Sequence, residues 1–176
     1  LGAHGTRTGG GELAQTVIDG EDAVAPEFTV AAGWTFTGWD VAFDNVTGPL
    51  TVTALYNAVP VAVADAYSTP EATALAVVAP GVLTNDTDAE EEDLTAVKLT
   101  DPAHGAVTLQ ADGSFVYTPA GDYSGPDSFT YKANDGHADS NAATVTITVI
   151  ETHSVTFDLG AHGTRTGGGE LAQTVI

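Results

Sequence analysis

The residues best able to do chemistry form one acidic run, Asn85–Asp93, with the sequence NDTDAEEED. Asp86 and Asp88 are separated by one residue, so in a loop their two carboxylates can converge on a single hard cation. Calcium takes about six to eight oxygen ligands, and amide oxygens and backbone carbonyls can complete such a shell. The run is not an EF-hand, because the sixth position from Asp86 is Glu91, where that loop needs glycine. We predict a calcium site, with a solvated acidic loop as the alternative.

Further acids flank this run. Asp65 and Glu71 precede it, and Asp135 and Asp139 belong to a later stretch rich in turn residues. If these stretches are loops of a β-sandwich, each lies at one end of the domain, and the sequence leaves open which acids share an end. Calcium at a domain junction would stiffen the short linkers at 57–60 and 150–152. The predicted ligands are Asn85, Asp86, Asp88, Asp93, Asp65, Glu71, Asp135 and Asp139.

Other chemistries lack the residues that they need. The chain has no cysteine, which excludes disulfides and thiolate metal sites. Its histidines show neither His-x-His nor His-x-x-x-His spacing, so zinc is not expected. There is no Gly-x-Ser-x-Gly nucleophile motif and no phosphate-binding loop ending in Gly-Lys-Ser/Thr. The acidic run also has no neighbouring aromatic platform for a sugar, and we therefore expect no enzyme.

Charge limits the partners of this chain. Its formal net charge is −20, from 24 acidic and 4 basic residues. Nucleic acids and anionic membranes are bound through clustered lysine and arginine, so neither is an expected partner. No stretch reaches the roughly 20 apolar residues of a membrane-spanning helix, and we expect no membrane insertion. A strongly acidic surface suits a cation-rich exterior, while solubility alone is the simpler explanation.

The first eighteen residues recur without a substitution as residues 159–176. An exact match of this length indicates a window cut from a tandem array with a 158-residue period, in which each unit mainly contacts its neighbours. The second copy follows His153–Asp158, which alternates apolar and polar residues as a strand does. The first copy stands without that strand. We therefore expect neighbouring repeats as partners, and self-assembly by strand donation as an alternative.

Residues 1–56 combine alternating segments with turn residues. Strands are predicted at Glu12–Ile18, Trp34–Trp39 and Leu50–Tyr56, with an irregular connection around Pro26. The order of these segments, above all Gly33–Trp39 (GWTFTGW), resembles the internalin-type B-repeat, also called the Listeria–Bacteroides repeat. The resemblance implies a small β-grasp-like module of bacterial surface proteins, here without its first strand.

Residues 58–150 contain about seven short alternating segments separated by turn signals, which is typical of an antiparallel sandwich. The predicted strands are Val59–Ala64, Ala74–Val78, Leu94–Leu99, Ala106–Gln110, Ser114–Thr118, Asp127–Ala133 and Ala143–Ile150. Asp112-Gly113 between two alternating runs is a strong hairpin signal.

This second stretch resembles the bacterial cadherin-like, Ig-like (VCBS-type) repeat of giant adhesins. The resemblance rests on Gly81–Asp88, Pro102–Leu109, Asp112–Pro119, Asp127–Tyr131 and Ala143–Val149. It implies a β-sandwich, an extracellular setting and bound calcium. The family's acidic loop has the form N-D-x-D-x-x-G-D, and Glu91 stands here in place of the glycine.

Together these patterns predict an all-β chain of three parts: a β-grasp-like module (1–56), a cadherin-like sandwich (58–150) and the start of the next module (151–176). The function that follows is a structural spacer in a long bacterial surface adhesin or fibre, stiffened by calcium and located outside the cell. The alternatives are a filament subunit whose copies join by strand donation, and a module that binds a glycan or a host protein.

Overall fold

The computed structural model describes residues 1, 4–10, 14–157 and 172–175. The chain is built from β-strands and divides into two compact units, which confirms the all-β prediction. The first unit comprises Leu1–Val61, Asp86–Leu94 and Ala133–Asn141, and the second comprises Ala62–Asn85, Thr95–Lys132 and Ala142–Ile176. The domain boundaries expected from the sequence stay a prediction.

Two antiparallel strand pairs form the first unit. Strand β1 (Gly5–Gly10) pairs with β2 (Pro26–Val30), and β3 (Trp34–Trp39) pairs with β4 (Ala54–Ala58). The prediction for β3 is confirmed. The predicted strand at Leu50–Tyr56 is wrong in its first half, because β4 begins at Ala54. The irregular connection expected at Pro26 is also wrong. Proline can occupy the first position of a strand, where its missing N–H does least harm.

Aromatic side chains gather in the first unit without becoming fully buried. The rings of Phe28, Phe36 and Trp39 lie edge to face at centroid distances of 5.0–5.8 Å, and Phe43 and Tyr56 extend the cluster. Phe36 is still 36% exposed. The buried apolar side chains among the described residues of this unit are small: Ala54, Ala58, Pro60 and Ala133.

The two copies of the repeated sequence have different backbones. Strand β12 (His153–Thr156) pairs with β13 (Ala172–Val175) in antiparallel register, from His153 opposite Val175 to Thr156 opposite Ala172. Residues 14–17 have the same sequence as β13 and lie outside any strand. The predicted strand at Glu12–Ile18 is therefore wrong over 14–18, and residues 11–13 lie outside the described part. A strand forms only where backbone groups find a partner.

The second unit is built mainly from the strands of a β-sandwich. These strands are β5 (Asp65–Pro70), β6 (Leu75–Val77), β7 (Thr95–Thr100), β8 (Gly105–Leu109), β9 (Phe115–Pro119), β10 (Gly125–Asn134) and β11 (Ala143–Ile150). One sheet has the order β5-β11-β10-β7 and the other the order β6-β9-β8. The predicted β8–β9 hairpin is confirmed, and its turn contains Gly113 at φ +80°.

One strand of this set was misplaced. The sequence predicts a strand at Val59–Ala64, whereas the structure has only an isolated bridge there, between Val61 and Thr87. The first sandwich strand is instead β5, which runs parallel to β11 over the pairs Asp65–Val145 to Pro70–Ile150. Pro60 cannot donate a backbone hydrogen bond, which disfavours a ladder through the predicted segment.

The sandwich core is formed by inward-facing residues of β9, β10 and β11, whose burial alternates along each strand. Phe115 from one sheet meets Phe129 from the other edge to face at 5.5 Å, and Tyr67 lies 5.2 Å from Phe115. Burying a side chain of this size stabilises the fold by about 2–3 kcal/mol. These rings hold the two sheets together.

Helical structure is minimal among the described residues. One 3-10 turn spans Gly81–Leu83, and no helix is long and apolar enough to cross a membrane.

Candidate functional site

The acidic loop belongs to the first unit and is folded around the side chain of Asp88. Its Oδ1 atom accepts hydrogen bonds from the backbone N–H groups of Glu90, at 2.9 Å, and Glu92, at 3.4 Å. Between them Glu91 adopts a left-handed backbone with φ +60°. This residue stands where the related loops have glycine, so the turn keeps the conformation that a glycine would adopt without strain. The loop is therefore ordered by its own backbone.

Two carboxylate oxygens in this loop are buried without a partner. Asp88 Oδ2 and Glu92 Oε2 have almost no contact with solvent and no hydrogen-bond partner. A buried oxygen of an ionised carboxylate strongly destabilises a fold unless a proton donor or a cation compensates it. Oxygen-only donors of this kind match the preference of calcium. Among the described residues, Asp88 and Glu92 are therefore the carboxylates best suited to hold a hard cation.

The start of the cadherin-like stretch is joined to the acidic loop. Both carboxylate oxygens of Glu90 lie within hydrogen-bond distance of the backbone N–H of Ala58, at 3.1 and 3.2 Å. Val61 and Thr87 exchange two backbone hydrogen bonds, at 2.8 and 3.0 Å. Asn57 and Ala58 are themselves buried. The segment leading into the stretch is thus tied to the loop at two points.

A second loop, Ala133–Asn141, supplies another carboxylate to the same segment. Asp135 Oδ1 accepts the N–H groups of His137, at 2.7 Å, and Ala138, at 2.6 Å, while Oδ2 accepts Asn57 Nδ2 at 2.7 Å. Burial raises the pKa of Asp135, but hydrogen bonds from Ala138, Asn57 and His137 outweigh it, and the pKa is lowered overall. Asp135 is therefore held ionised at neutral pH.

The two loops also approach each other. Nε2 of His137 lies 3.9 Å from Oε1 of Glu92, the carboxylate whose other oxygen lacks a partner. Asn134 Nδ2 donates to Asp139 Oδ1 at 2.8 Å, which closes the second loop. Asp88, Glu92 and Asp135 thus belong to one unit, and Asp135 contacts the buried Asn57.

The structure divides the eight predicted ligands between the two units. Asp86, Asp88, Asp93, Asp135 and Asp139 belong to the first unit, and Asn85, Asp65 and Glu71 belong to the second. Among the described residues, no three His, Cys, Asp or Glu side chains are close enough together to hold a metal ion. A calcium shell here would therefore need amide or backbone oxygens beside the two partnerless carboxylate oxygens. The predicted set is not assembled as one site.

The predicted ligands in the second unit have other contacts. Asn85 donates to the Ala64 carbonyl at 3.3 Å, and Tyr131 Oη lies 3.5 Å from Asp65 Oδ2. Glu71 Oε1 accepts the backbone N–H and the hydroxyl of Thr152, at 3.0 and 2.9 Å. These two bonds lower the pKa of Glu71. Glu71 therefore fastens the chain just beyond β11.

Three residues of the candidate site were missed in the sequence. Glu92 occupies the final acidic position of the N-D-x-D-x-x-G-D pattern, so the pattern itself could have identified it. Glu90 and Asn57 carry no such signal, because Glu90 acts on a backbone N–H and Asn57 on another side chain. Such contacts depend on the folded chain.

The buried carboxylate of Asp127, by contrast, has hydrogen-bond donors for both of its oxygens. Asp127 is 5% exposed and accepts four hydrogen bonds of 2.8–3.0 Å, from the N–H groups of Ala103, His104 and Ser128 and from the Tyr117 hydroxyl. Burial raises the pKa of Asp127, yet these four donors lower it overall. Burial and the neighbouring carboxylate also raise the pKa of Tyr117. This pair is a structural pin that leaves no oxygen for a ligand.

The two mainly antiparallel sheets share an aromatic core, and an acidic loop lies beside the start of the domain. This architecture is that of an Ig-like β-sandwich. A comparison with protein families matches residues 57–151, more than half of the chain, to the bacterial cadherin-like domain. The chain belongs to this family. Such a domain fits an extracellular structural or adhesion repeat, and cadherin-like domains commonly bind calcium. The resemblance of residues 1–56 to the B-repeat stays a prediction.

Solved structures that match part of this chain include two endo-fucoidan hydrolases of glycoside hydrolase family 107. MfFcnA4 is 17% identical over 84% of this chain with a TM-score of 0.40, and MfFcnA9 is 20% identical over 72% with a TM-score of 0.37. The matches cover 23% and 20% of those proteins, so this chain spans less than a quarter of their length. At these TM-scores the likeness carries no argument about activity. A search of curated proteins found no match.

Proposed function

We propose that this chain is a structural spacer repeat of a long extracellular adhesin or fibre, and that calcium at the acidic loop stiffens it. One observation carries the calcium part: Asp88 Oδ2 and Glu92 Oε2 are buried oxygens without a partner. The family assignment supports the spacer part. The partners are the neighbouring repeats of the same chain, and no catalysis is involved.

Calcium would act on the segment that leads into the cadherin-like stretch. Asp88 and Glu92 would bind the ion, and Glu90 and Asp135 already hold Ala58 and Asn57 by hydrogen bonds. A cation bound by these two carboxylates would compensate their partnerless oxygens and fix the loop that carries Glu90. The segment around residues 57–58 would then lose freedom. A spacer whose connections cannot bend keeps its reach under load.

The whole-chain charge supports the same proposal. With a net charge of −20 the chain repels itself, and a divalent ion bound at each repeat reduces this repulsion. The chain has no cysteine, so disulfides cannot provide the stiffness. Repetition of the first eighteen residues fits a tandem array, whose function is to provide length and spacing.

Thermal unfolding in millimolar calcium and in excess EDTA, at one ionic strength, tests the site. A ligand at about 100 times its Kd stabilises the folded state by about 2.7 kcal/mol, which raises the Tm of a chain of this size by about 5–10 °C. We expect Glu92→Gln to abolish the rise. Because it also removes the negative charge from a carboxylate with one buried, partnerless oxygen, Glu92→Gln should melt at or above the wild-type Tm in EDTA.

Glu91→Gln is the matched control, since it removes the same charge from the neighbouring exposed residue and keeps the backbone turn. It should retain the full calcium effect. An equal rise in all three proteins, or an equal rise with magnesium, would show that calcium merely screens the acidic surface. If calcium does not raise the Tm of the wild-type protein, the calcium part of the proposal is wrong and only the spacer part remains.

A further inference from the structure

The turn between β7 and β8 contains the only Asp–Pro peptide bond in the sequence, Asp101–Pro102. A peptide bond between aspartate and proline is more easily broken than other peptide bonds. The carboxylate can attack the main-chain carbonyl carbon of its own residue and close a five-membered cyclic anhydride. The proline nitrogen, which is more basic than other amide nitrogens, then takes a proton and leaves. Cleavage therefore needs a proton donor at the nitrogen and a group that removes the anhydride.

The side chain of Lys98 is held directly beside the carboxylate of this bond. Its Nζ atom donates a short hydrogen bond to Asp101 Oδ1 and a second one, of 3.3 Å, to the carbonyl oxygen of Val107 on β8. The first contact pairs an ammonium group with a carboxylate, so a proton donor and a nucleophile lie together. Because Oδ1 is bonded to Cγ, the Nζ atom also lies next to a carbon that the anhydride would make reactive.

The residues that follow the bond are fixed by the fold. The backbone N–H groups of Ala103 and His104 donate to the Asp127 carboxylate at 2.9 and 3.0 Å, and Pro102 is buried. A nitrogen in a buried residue takes its proton more readily from a positioned side chain than from solvent. Lys98 is therefore placed to act as the general acid for the departing nitrogen.

Strands from the two sides of this bond alternate within both sheets. Strands β5 and β7 precede the bond and pair with β11 and β10, which follow it, and β6 likewise pairs with β9. A chain cleaved after Asp101 would therefore remain folded as two interlocked fragments. The new amine of Pro102 would stay near the anhydride and could reform the peptide bond. Cleavage becomes permanent only when another group opens the anhydride first.

We propose that Asp101–Pro102 is a self-cleavage site at which the acyl group of Asp101 passes to Lys98. The Asp101 carboxylate attacks its main-chain carbonyl carbon, the C–N bond to Pro102 breaks, and Lys98 gives a proton to the departing nitrogen. The neutral Lys98 amine then attacks Cγ of the anhydride. This reaction goes beyond the spacer function and does not require calcium.

The products balance the reactants without a further reagent. An amide bond joins Lys98 to the Asp101 side chain, and Asp101 keeps a free main-chain carboxylate. The second proton that Lys98 loses converts the Pro102 amine into an ammonium group, so the net charge does not change. No water is consumed, and each chain reacts once.

Mass spectrometry of the full chain, kept for several days in a mildly acidic buffer, tests the proposal. Wild-type protein should give fragments 1–101 and 102–176 whose masses add up to the mass of the intact chain, whereas hydrolysis would add one water molecule. Trypsin should no longer cleave after Lys98, and tandem spectra should place the link between Lys98 and Asp101. The fragments should elute together in native size-exclusion chromatography and separate in denaturant.

Two lysine variants separate the role of Lys98 from the general lability of the bond. Lys98→Gln should give no linked fragment and should be cleaved at least about tenfold more slowly, since a positioned general acid contributes about 10²–10⁴-fold to a rate. Lys132→Gln is the matched control, because Lys132 is the only other lysine in the sequence, and it should react like wild type. Circular dichroism checks that each variant is folded.

Asp101→Glu keeps the charge and the proline but can close only a six-membered anhydride, so it should be cleaved more slowly than wild type. Wild-type chain unfolded in urea keeps the Asp–Pro bond and loses the contact with Lys98, and it should form no link. The proposal would be overturned by a wild-type chain that stays intact, by a water molecule in every fragment pair, or by equal cleavage of wild type and Lys98→Gln. Equal linking in the unfolded chain would overturn it as well.

Discussion

At the scale of single residues, the carboxylates of this chain fall into two kinds. Asp127 has both oxygens engaged by four donors, and the fold holds it ionised in the interior. Asp88 and Glu92 each keep one buried oxygen without a donor. The first kind stabilises a protein by itself, whereas the second destabilises it until a cation arrives. This contrast separates a structural pin from a binding site better than the density of acids along the sequence does.

Glu91 leads to a prediction at the same scale. A non-glycine residue in the left-handed region is strained by about 1–2 kcal/mol, and glycine relieves this strain while losing about 0.5–1 kcal/mol in chain entropy. Glu91→Gly should therefore stabilise the chain by roughly 0.5–1 kcal/mol in urea unfolding monitored in EDTA. Ala89→Gly, two positions away and without a positive φ, should destabilise it by a similar amount. Equal effects of the two glycines would contradict the reading of this turn.

At the scale of elements, the strands predicted correctly are those with their own alternation and turn residues. Strands β3, β8, β9, β10 and β11 have such patterns, and Gly113 marks the turn between two of them. Strand β5 (DAYSTP) has no clear alternation and is organised by its parallel pairing with β11. Residues 14–17 and 172–175 show the limit most directly, because one sequence has two conformations. Only the presence of a partner strand separates them.

The candidate site, like the strands, could be predicted from the sequence only in part. The acidic loop and the loop around Asp135 are visible in the sequence, since turn residues and acids cluster there. Asp88 and Glu92 each have one buried oxygen without a partner, and Glu71 instead binds Thr152. Neither result can be predicted from the sequence, because both depend on burial and on contacts between residues distant in sequence. Asp127 likewise cannot be distinguished from a surface aspartate until Tyr117 and the turn at 103–104 are placed beside it.

The Asp127 pin joins β10 to β9 and to the turn before β8, and its removal should weaken all three. Asn accepts hydrogen bonds on one oxygen only and presents its NH₂ group to donors, so Asp127→Asn should destabilise the chain by about 2–4 kcal/mol at pH 7. Because the folded-state pKa of Asp127 is lowered, the wild-type advantage is complete above the unfolded value of about 3.9 and is lost as pH falls through the folded pKa.

Urea unfolding from pH 7 down to the acid limit of stability measures this dependence. The difference between wild type and Asp127→Asn should shrink as pH falls below about 4. Asp122→Asn, at an exposed loop position, should change stability by less than about 0.5 kcal/mol throughout. If the difference in unfolding free energy between wild type and Asp127→Asn does not change with pH, the charge of Asp127 does not contribute to stability.

At the scale of the whole molecule, stability is unevenly distributed. The second unit encloses Phe115, Tyr117, Phe129, Tyr131 and Ile147, while the first unit buries mainly small side chains and leaves its aromatic rings half-covered. Regions with few buried apolar groups and irregular backbone open at lower free energy than a packed core. The two units are therefore expected to differ in how often their backbones open.

Hydrogen exchange followed by mass spectrometry tests this expectation in dilute protein, below the concentration of any association. Amides of β9, β10 and β11 should be the last to exchange, and those of residues 14–18 should exchange within seconds. Slow exchange at 14–18 in dilute protein would contradict the structure of this segment.

The parallel pairing of β5 with β11 has a mechanical consequence when the ends of the domain are pulled. These two strands are the first and the last of the sandwich, joined along six residue pairs. Because they run in the same direction, a force that draws the ends of the domain apart slides one strand along the other. The backbone hydrogen bonds between them are then loaded together, in shear, and cannot unzip one after another. Rupture of the sandwich has to break the whole set at once, so the force that this domain withstands is set by the β5–β11 pair, whatever its resistance to heat.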